Sequence, residues 1–331
     1  MELIFMEVKK VQEVKGSYYV YLPKPWCIKY IEGPETRKVR LKLNEDDSLL
    51  ILPMARQISE DLELSLEINE SINEDSCLNS LLAAYIVGVK CIELKTNDKF
   101  SLEFRDRISQ LLKPLIGFEI TEETQDRIVI HEVSTTLKLE EMMRRILSKV
   151  GLILKDLADI LKNLNKKGAE VLINQDDEVD KFRYSIERQV HQILRQPVLI
   201  RELKITPIEC LHLSQCTKYL ERIADHCVGI ATFIIEGKKP SPNLLQIYEE
   251  VRKLYMQMQN NFYSIDVEAN YQIISQHHQI IASLDEIELE KNNDKLFAIP
   301  LKRICSYCSD IAEVRINSFV YKLSLGKVSI S

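Results

Sequence analysis

Hydrophobic positions change their period twice along this chain. Over residues 7–54 they alternate in short runs: VKKVQEV, then YYVYL, RKVRLKL and SLLILP. Alternation marks strands that bury one face, and the aromatic and β-branched residues of YYVYL strengthen it. Gly16-Ser17 marks a turn, and the stretches from Glu32 to Thr36 and from Asn44 to Asp47 break the pattern again. Pro23 opens one short helix, PKPWCIKYI, because the first turn of a helix does not need the amide that proline lacks. In RKVRLKL the alternation predicts Arg37, Arg40 and Lys42 toward solvent and Val39, Leu41 and Leu43 inside.

Residues 58–135 mix the two periods. LELSLEI, CIELKT, FEITEET and DRIVIHEV read as strands, and SCLNSLLAAYIVGV and FRDRISQLLKPLI as helices, with Gly117 past the end of the second. The order βαβαββ predicts a compact sheet covered by two helices. From residue 137 onward the period is helical. The first helix is TLKLEEMMRRILSKVGLILKDLADILKNL, and the second runs from Asp176 to about Leu194, ahead of Pro197. The third spans Pro207 to Ile235 and is closed by Gly237. A fourth follows Pro240 and Pro242, a fifth follows Asp266, and a sixth runs from about Leu296 to Leu323. Six helices with short connections predict one bundle or two three-helix bundles. ERIADHCVGIAT at 221–232 and KRICSYCSDIAE at 302–313 agree at five of twelve positions with a constant offset of 81. That repeat favours two bundles. The expected fold class is therefore multidomain: a small all-β domain over 1–57, a small α/β domain over 58–136, and an all-α region of tandem three-helix bundles over 137–331.

The net charge of −6 is unevenly spread. Residues 1–57 hold ten basic and eight acidic side chains, which is +2 and leaves −8 for the remainder. Lys9, Lys10 and Lys15 on one strand and Lys38, Arg40 and Lys42 on another are candidate DNA contacts, since a polyanion needs such a positive surface. Trp26, Tyr18, Tyr19 and Tyr21 suit a barrel core or a dimer contact. No apolar run is long enough to cross a bilayer, so membrane insertion is not expected. The first ten residues, MELIFMEVKK, lack the charge order of a signal peptide, and a cytoplasmic location is expected. The eight cysteines then read as reduced thiols, with the Cys305–Cys308 pair as helix core.

Two pairs of carboxylates carry the candidate chemistry. Asp176 and Asp180 are four apart at the start of a helix, and Glu221 and Asp225 are four apart inside another. Residues four apart share a helix face, where like charges repel unless a cation sits between them. Four such groups from two packed helices make an oxygen-rich site for Mg, Mn, Fe or Zn. Asp177 and Glu187 are possible additional ligands, Glu187 lying two turns beyond Asp180. The same residues have a plainer reading: Asp176 to Glu178 favour the helix dipole, and Glu221 pairs with Lys218 or Arg222. His226 is next to Asp225 but about 100° round the helix. No nucleophile with a base and an orienting acid is found by spacing, and no Gly-rich phosphate loop exists, so no enzymatic activity is expected.

Resemblances sharpen these readings. KKVQEVKGSYYVYLPKPW resembles the AbrB/SpoVT-like swapped-hairpin domain, which builds one barrel from two chains and often binds DNA. This implies a homodimer through the N-terminal domain. YLERIADHCVGIA resembles the signature helix of the PhoU family, and DDEVDKFRYSIE resembles that family's D-x-x-x-D-x-L-x-x-x-I-E. The resemblance implies two three-helix bundles that bind metal clusters through paired E/D-x-x-x-D motifs, here Asp176, Asp180, Glu221 and Asp225. It also implies a regulator of phosphate uptake that contacts transporter or sensor components. An alternative is a DNA-binding transcription regulator whose helical domain senses metal or phosphate. Gly229 and Thr232 depart from the family's usual Asn and Glu. In the second repeat Lys302 stands where Glu221 does and Ser306 where Asp225 does, so metal is expected in the first repeat only.

Overall fold

The computed structural model describes residues 8–31, 37–43, 48–53, 62–69, 72–133, 138–196, 199–200, 203–264, 266–289 and 294–326. Two compact units separate by their internal contacts, Met1–Glu60 and Asp61–Ser331.

The first unit contains two antiparallel hairpins and one helix. Strand β1 (Val11–Val14) pairs with β2 (Ser17–Val20), and β3 (Val39–Leu43) pairs with β4 (Leu49–Pro53). Helix α1 (Lys24–Tyr30) follows β2, with Pro23 at its cap and Pro25 in its first turn. The first turn falls one residue earlier than the sequence suggests. Lys15 and Gly16 both have positive φ, 51° and 77°, and Ser17 already pairs with Val14. Two left-handed residues match the twist of a two-residue hairpin, which glycine and a solvated lysine accept. The breaks at 32–36 and 44–47 lie outside the described residues.

Among the described residues, much of the expected inward face of these strands stays exposed. Leu41 is 61% exposed and Leu43 70%, while Tyr18 and Tyr21 are 74% and 65% exposed. Helix α1 has no buried residue. The β1–β2 hairpin, exposed at every residue of both strands, lacks among the described residues the second layer that would bury its alternating apolar set.

The second unit opens with a four-stranded sheet in the order β5-β6-β8-β7. Strand β5 (Leu62–Ile68) leads through α2 (Glu74–Ile86) to β6 (Val89–Thr96), which lies parallel to it. Helix α3 (Leu102–Leu112), β7 (Phe118–Glu123) and β8 (Arg127–Glu132) complete the expected βαβαββ order, with β8 antiparallel to both neighbours. Asn73 and Ser101 cap the two helices through their side chains. The core under the helices includes Leu81, Tyr85, Ile92, Leu94, Phe104 and Ile108, none with any exposure.

The helical part follows. Helix α4 (Leu139–Asn163) ends on Leu164 in the left-handed conformation at φ 52°. A short helix α5 (Lys166–Ile173) comes next, capped by the Asn165 side chain. Then come α6 (Asp176–Arg195), α7 (Pro207–Ile235), α8 (Pro242–Asn261), α9 (Val267–Leu289) and α10 (Asp294–Ser324). Helices α4, α6 and α7 pack on one another, as do α8, α9 and α10, and α7 against α10 joins the two triplets under one core. Among the described residues, helix α5 adds a seventh helix to the six expected. It buries only Ala169 and Leu172, and Gly168 permits its first turn to close on Asn165, where a Cβ would meet the amide nitrogen at 2.8 Å. Among the described residues no helix is long and apolar enough to cross a membrane.

The sheet layer is tied to the helical part through α6. Arg188 has no exposed surface, yet it is a cation. Its Nη1 donates to the Tyr85 carbonyl at 2.6 Å, and Nη2 lies 3.0 Å from the Glu132 carboxylate. The guanidinium also stands 4.9 Å from the Tyr85 ring and 4.7 Å from the Phe118 ring. A buried charge survives only with such pairing.

Candidate metal centre

Helices α6 and α7 bring together the carboxylates that the spacing singled out. Asp176 and Asp180 lie in the first turns of α6, and Glu221 and Asp225 lie mid-way along α7. A capping box at Thr206 and Glu209, with Pro207 in the first turn, fixes where α7 begins. Ile223, Ala224, Cys227, Ile230 and Ala231 of α7 are fully buried, which sets the rotation of the helix and turns Glu221 and Asp225 toward α6.

The electrostatics record the convergence. The Asp176 carboxyl is pushed up from 3.8 to about 7, first by burial and then by the charges of Asp225, Asp180 and Glu221. Asp180 is raised by burial and by Asp225, against the lowering effect of Arg183. Glu221 is likewise raised by burial, with Arg183 and Arg222 opposing and Asp225 and Asp180 adding to the rise. Carboxylates that raise one another across two helices share one site. The Oδ1 atom of Asp176 is buried and has no hydrogen-bond partner. An oxygen left bare in the interior costs about 1–3 kcal/mol, and a cation would remove that cost.

The two additional candidates separate. Asp177 is exposed on the first turn of α6. Glu187 is only 4% exposed and is held by cations: Lys218 Nζ lies 3.6 Å from it and Arg183 Nη2 3.8 Å. Arg183 also reaches Glu221, with Nε at 3.9 Å. Arg222 pairs with Glu221 at 3.5 Å and with Asp225 at 3.4 Å. The expected pairing of Glu221 with Arg222 is therefore present, while Lys218 serves Glu187. Arg183 was not singled out by sequence. Its signal is the spacing Asp180–Arg183–Glu187, which puts a cation between two acids on one face at i+3 and i−4.

His226 turns the other way and stacks on Tyr307 of α10 at 5.9 Å between ring centres. Gly229 has open space where a Cβ would stand, and the Thr232 hydroxyl donates to the Val228 carbonyl. In the second repeat Lys302 pairs with Asp285, and the Ser306 hydroxyl lies 3.5 Å from His277 Nε2. Cys305 and Cys308 are fully buried, and burial pushes both thiols up. Lys9, Lys10, Lys15, Lys38 and Arg40 are all exposed on the first unit, and Lys42 lies on β3, its side chain outside the described residues.

Among the described residues, no group of three or more His, Cys, Asp and Glu stands ready-made to hold an ion. The oxygen donors nevertheless suit a hard cation, and Asp176 offers an unpartnered one. Asp176, Asp180, Glu221 and Asp225 are the residues that would hold it.

The PhoU domain family matches residues 143–234, which run from α4 to the end of α7 and include all four carboxylates. No curated protein matches the chain. Among solved structures, the phosphate transport system regulatory protein PhoU from Streptococcus pneumoniae is similar at 18% identity and a TM-score of 0.46. That similarity covers 58% of this chain and 96% of the other. PhoU from Pseudomonas aeruginosa is similar at 18% identity and 0.46, over 57% of this chain and 96% of that one. On the family match, residues 143–234 of the helical part are PhoU-like.

Proposed function

We propose that this protein regulates phosphate uptake or phosphate signalling through protein contacts, with a metal ion bound in the first helical repeat, and that it is not an enzyme. The observation that carries the reading is the PhoU domain match across α4 to α7, the helices on which the four carboxylates converge. The partner is a phosphate-transporter or sensor component, and the metal is Mg, Mn, Fe or Zn, a choice that an all-oxygen donor set does not make. A metal bound only to the folded chain raises the melting temperature with concentration. Asp180→Ala combined with Asp225→Ala removes one ligand from each helix and should abolish that rise. Lys302→Ala should leave it intact, because the second repeat has a cation where the first has a ligand. Elemental analysis gives the direct measurement, and equal metal in wild type and the double variant would reject the site. Phosphate uptake in cells lacking the gene tests the regulatory role, and uptake that stays normal at both high and low phosphate would reject it.

The first unit supports a second element of the proposal. Its bare apolar strands fit a swapped-hairpin barrel completed by a second copy of the chain, as in AbrB/SpoVT-like domains. Its exposed basic side chains favour an alternative role, a DNA-binding regulator whose helical domain senses metal or phosphate. A gel-shift titration with salt separates the two roles. Specific binding that weakens steeply with salt supports the DNA reading, and no binding at low salt removes it.

A further inference from the structure

Five carboxylates line the shared face of α6 and α7: Asp176, Asp180 and Glu187 from the first, Glu221 and Asp225 from the second, with Asp177 exposed to solvent beside them. Three cations belong to the same face, Arg183, Lys218 and Arg222. The balance is −2, the charge one divalent ion cancels.

The cations are not spread evenly. Glu187 and Glu221 each have two cationic partners, and Arg183 is shared between them at 3.8 and 3.9 Å. The Arg183 side chain is 20% exposed, and its Nε is buried without a hydrogen-bond partner. The guanidinium stands as a charge among oxygens, which is the place a metal ion would take. Two carboxylate oxygens of the cluster are buried without a hydrogen-bond partner, Oε1 of Glu187 and Oδ1 of Asp176, and among the described residues only the first has a cation within 4 Å, Lys218 Nζ at 3.6 Å.

Resting on the metal-centre reading above, we propose that Arg183 is a resident cation that fills the Glu187–Glu221 half of the cluster. The site then accepts a single metal ion, at the Asp176–Asp180–Asp225 end, in place of a multinuclear cluster. Glu221 stands between the two ends, since it feels Arg183 as well as Asp225 and Asp180. A second ion would have to displace a guanidinium that cannot lose its proton.

The test uses Mn²⁺ added to the chelator-treated full-length protein, with bound metal counted by equilibrium dialysis and its surroundings read by electron paramagnetic resonance. The Asp180→Ala, Asp225→Ala double variant should lose the wild-type site. Wild type should hold one tight Mn²⁺ per chain with the spectrum of an isolated ion. Arg183→Gln, which leaves Glu187 with Lys218 alone and Glu221 with Arg222 alone, should hold two with a spectrum broadened by coupling. Arg183→Lys keeps the charge and should hold one. Two or more tight ions in wild type would overturn the resident-cation proposal while leaving the metal centre standing. No tight ion in wild type would overturn the metal centre and the proposal with it. An Arg183→Gln protein that folds and still holds one ion would also overturn the proposal. If that variant does not fold, the wild-type count decides.

Discussion

Replacing Asp176 with asparagine should make the metal-free protein more stable at neutral pH, although it removes a proposed ligand. The folded state raises the Asp176 carboxyl from 3.8 to about 7, so it binds a proton more tightly than the unfolded chain does. The resulting stability is present below about pH 4 and is lost as pH rises through about 7. Above that range the charged carboxylate costs the fold ~4 kcal/mol if nothing screens it. Asp176 is only partly buried, and solvent screening reduces the figure to ~1–2 kcal/mol. Asparagine keeps the shape without the charge and escapes this cost, less the ~0.3–1 kcal/mol that an acid contributes in the first turn of a helix. A net gain of ~1 kcal/mol remains. Denaturation in chelator at pH 5 and at pH 7.5 measures it. Wild type should weaken between the two, Asp176→Asn should weaken less, and the variant should be the more stable at pH 7.5. With saturating Mn²⁺ the order should reverse, because only wild type keeps the full ligand set. A wild type equally stable at both pH values, or a variant no better than wild type in chelator, would refute the electrostatic argument.

Other expectations concern the rest of the chain. Arg188→Met should cost ~3–5 kcal/mol, since it strands the Glu132 carboxylate and the Tyr85 carbonyl. Hydrogen exchange should accelerate across β8 and the end of α2, and unchanged protection there would deny Arg188 its anchoring role. An isolated fragment of residues 1–60 should sediment as a dimer, because too little apolar surface is buried within one copy. A folded monomer would count against the swapped hairpin. If the unit binds DNA, neutralising Lys38, Arg40 and Lys42 together should weaken binding to all sequences and flatten its salt dependence, whereas an unaltered slope would take these residues out of the interface.

Periodic features read correctly wherever a long run repeats one period. The βαβαββ order and the limits of α7 follow from alternation, from Pro207 and from Gly237, which are properties of neighbouring residues. Helix α5 escapes because eight residues hold too few turns to show a period, and Gly168 in its first turn looks like a break. The turn sits at Lys15-Gly16, one residue before the Gly16-Ser17 pair that composition marks, because the lysine shares the left-handed conformation of the glycine. In the first unit the alternating pattern is legible, but an inward face is a statement about what lies opposite, and the described residues cover it only in part.

The candidate site divides along the same line. Pairs four apart on one helix declared that Asp176 would stand with Asp180 and Glu221 with Asp225. That the two pairs meet depends on the packing of α6 against α7, which no local spacing encodes. The two arginines on α6 show the limit from both sides. The pairing of Arg183 with Glu187 is legible in the sequence, because that acid lies four residues on along its own helix, whereas its pairing with Glu221 of α7 is not. The pairing of Arg188 is not legible either, because its partners are 56 and 103 residues away in sequence, in the sheet layer. Adjacent residues on a helix point about 100° apart, so Glu187 faces the carboxylate cluster while Arg188 faces the sheet. One helix therefore supports both the candidate metal centre and the anchor of the α/β layer. A displacement of α6 itself would move both Arg188 and its half of the carboxylate cluster, since both are carried on that helix.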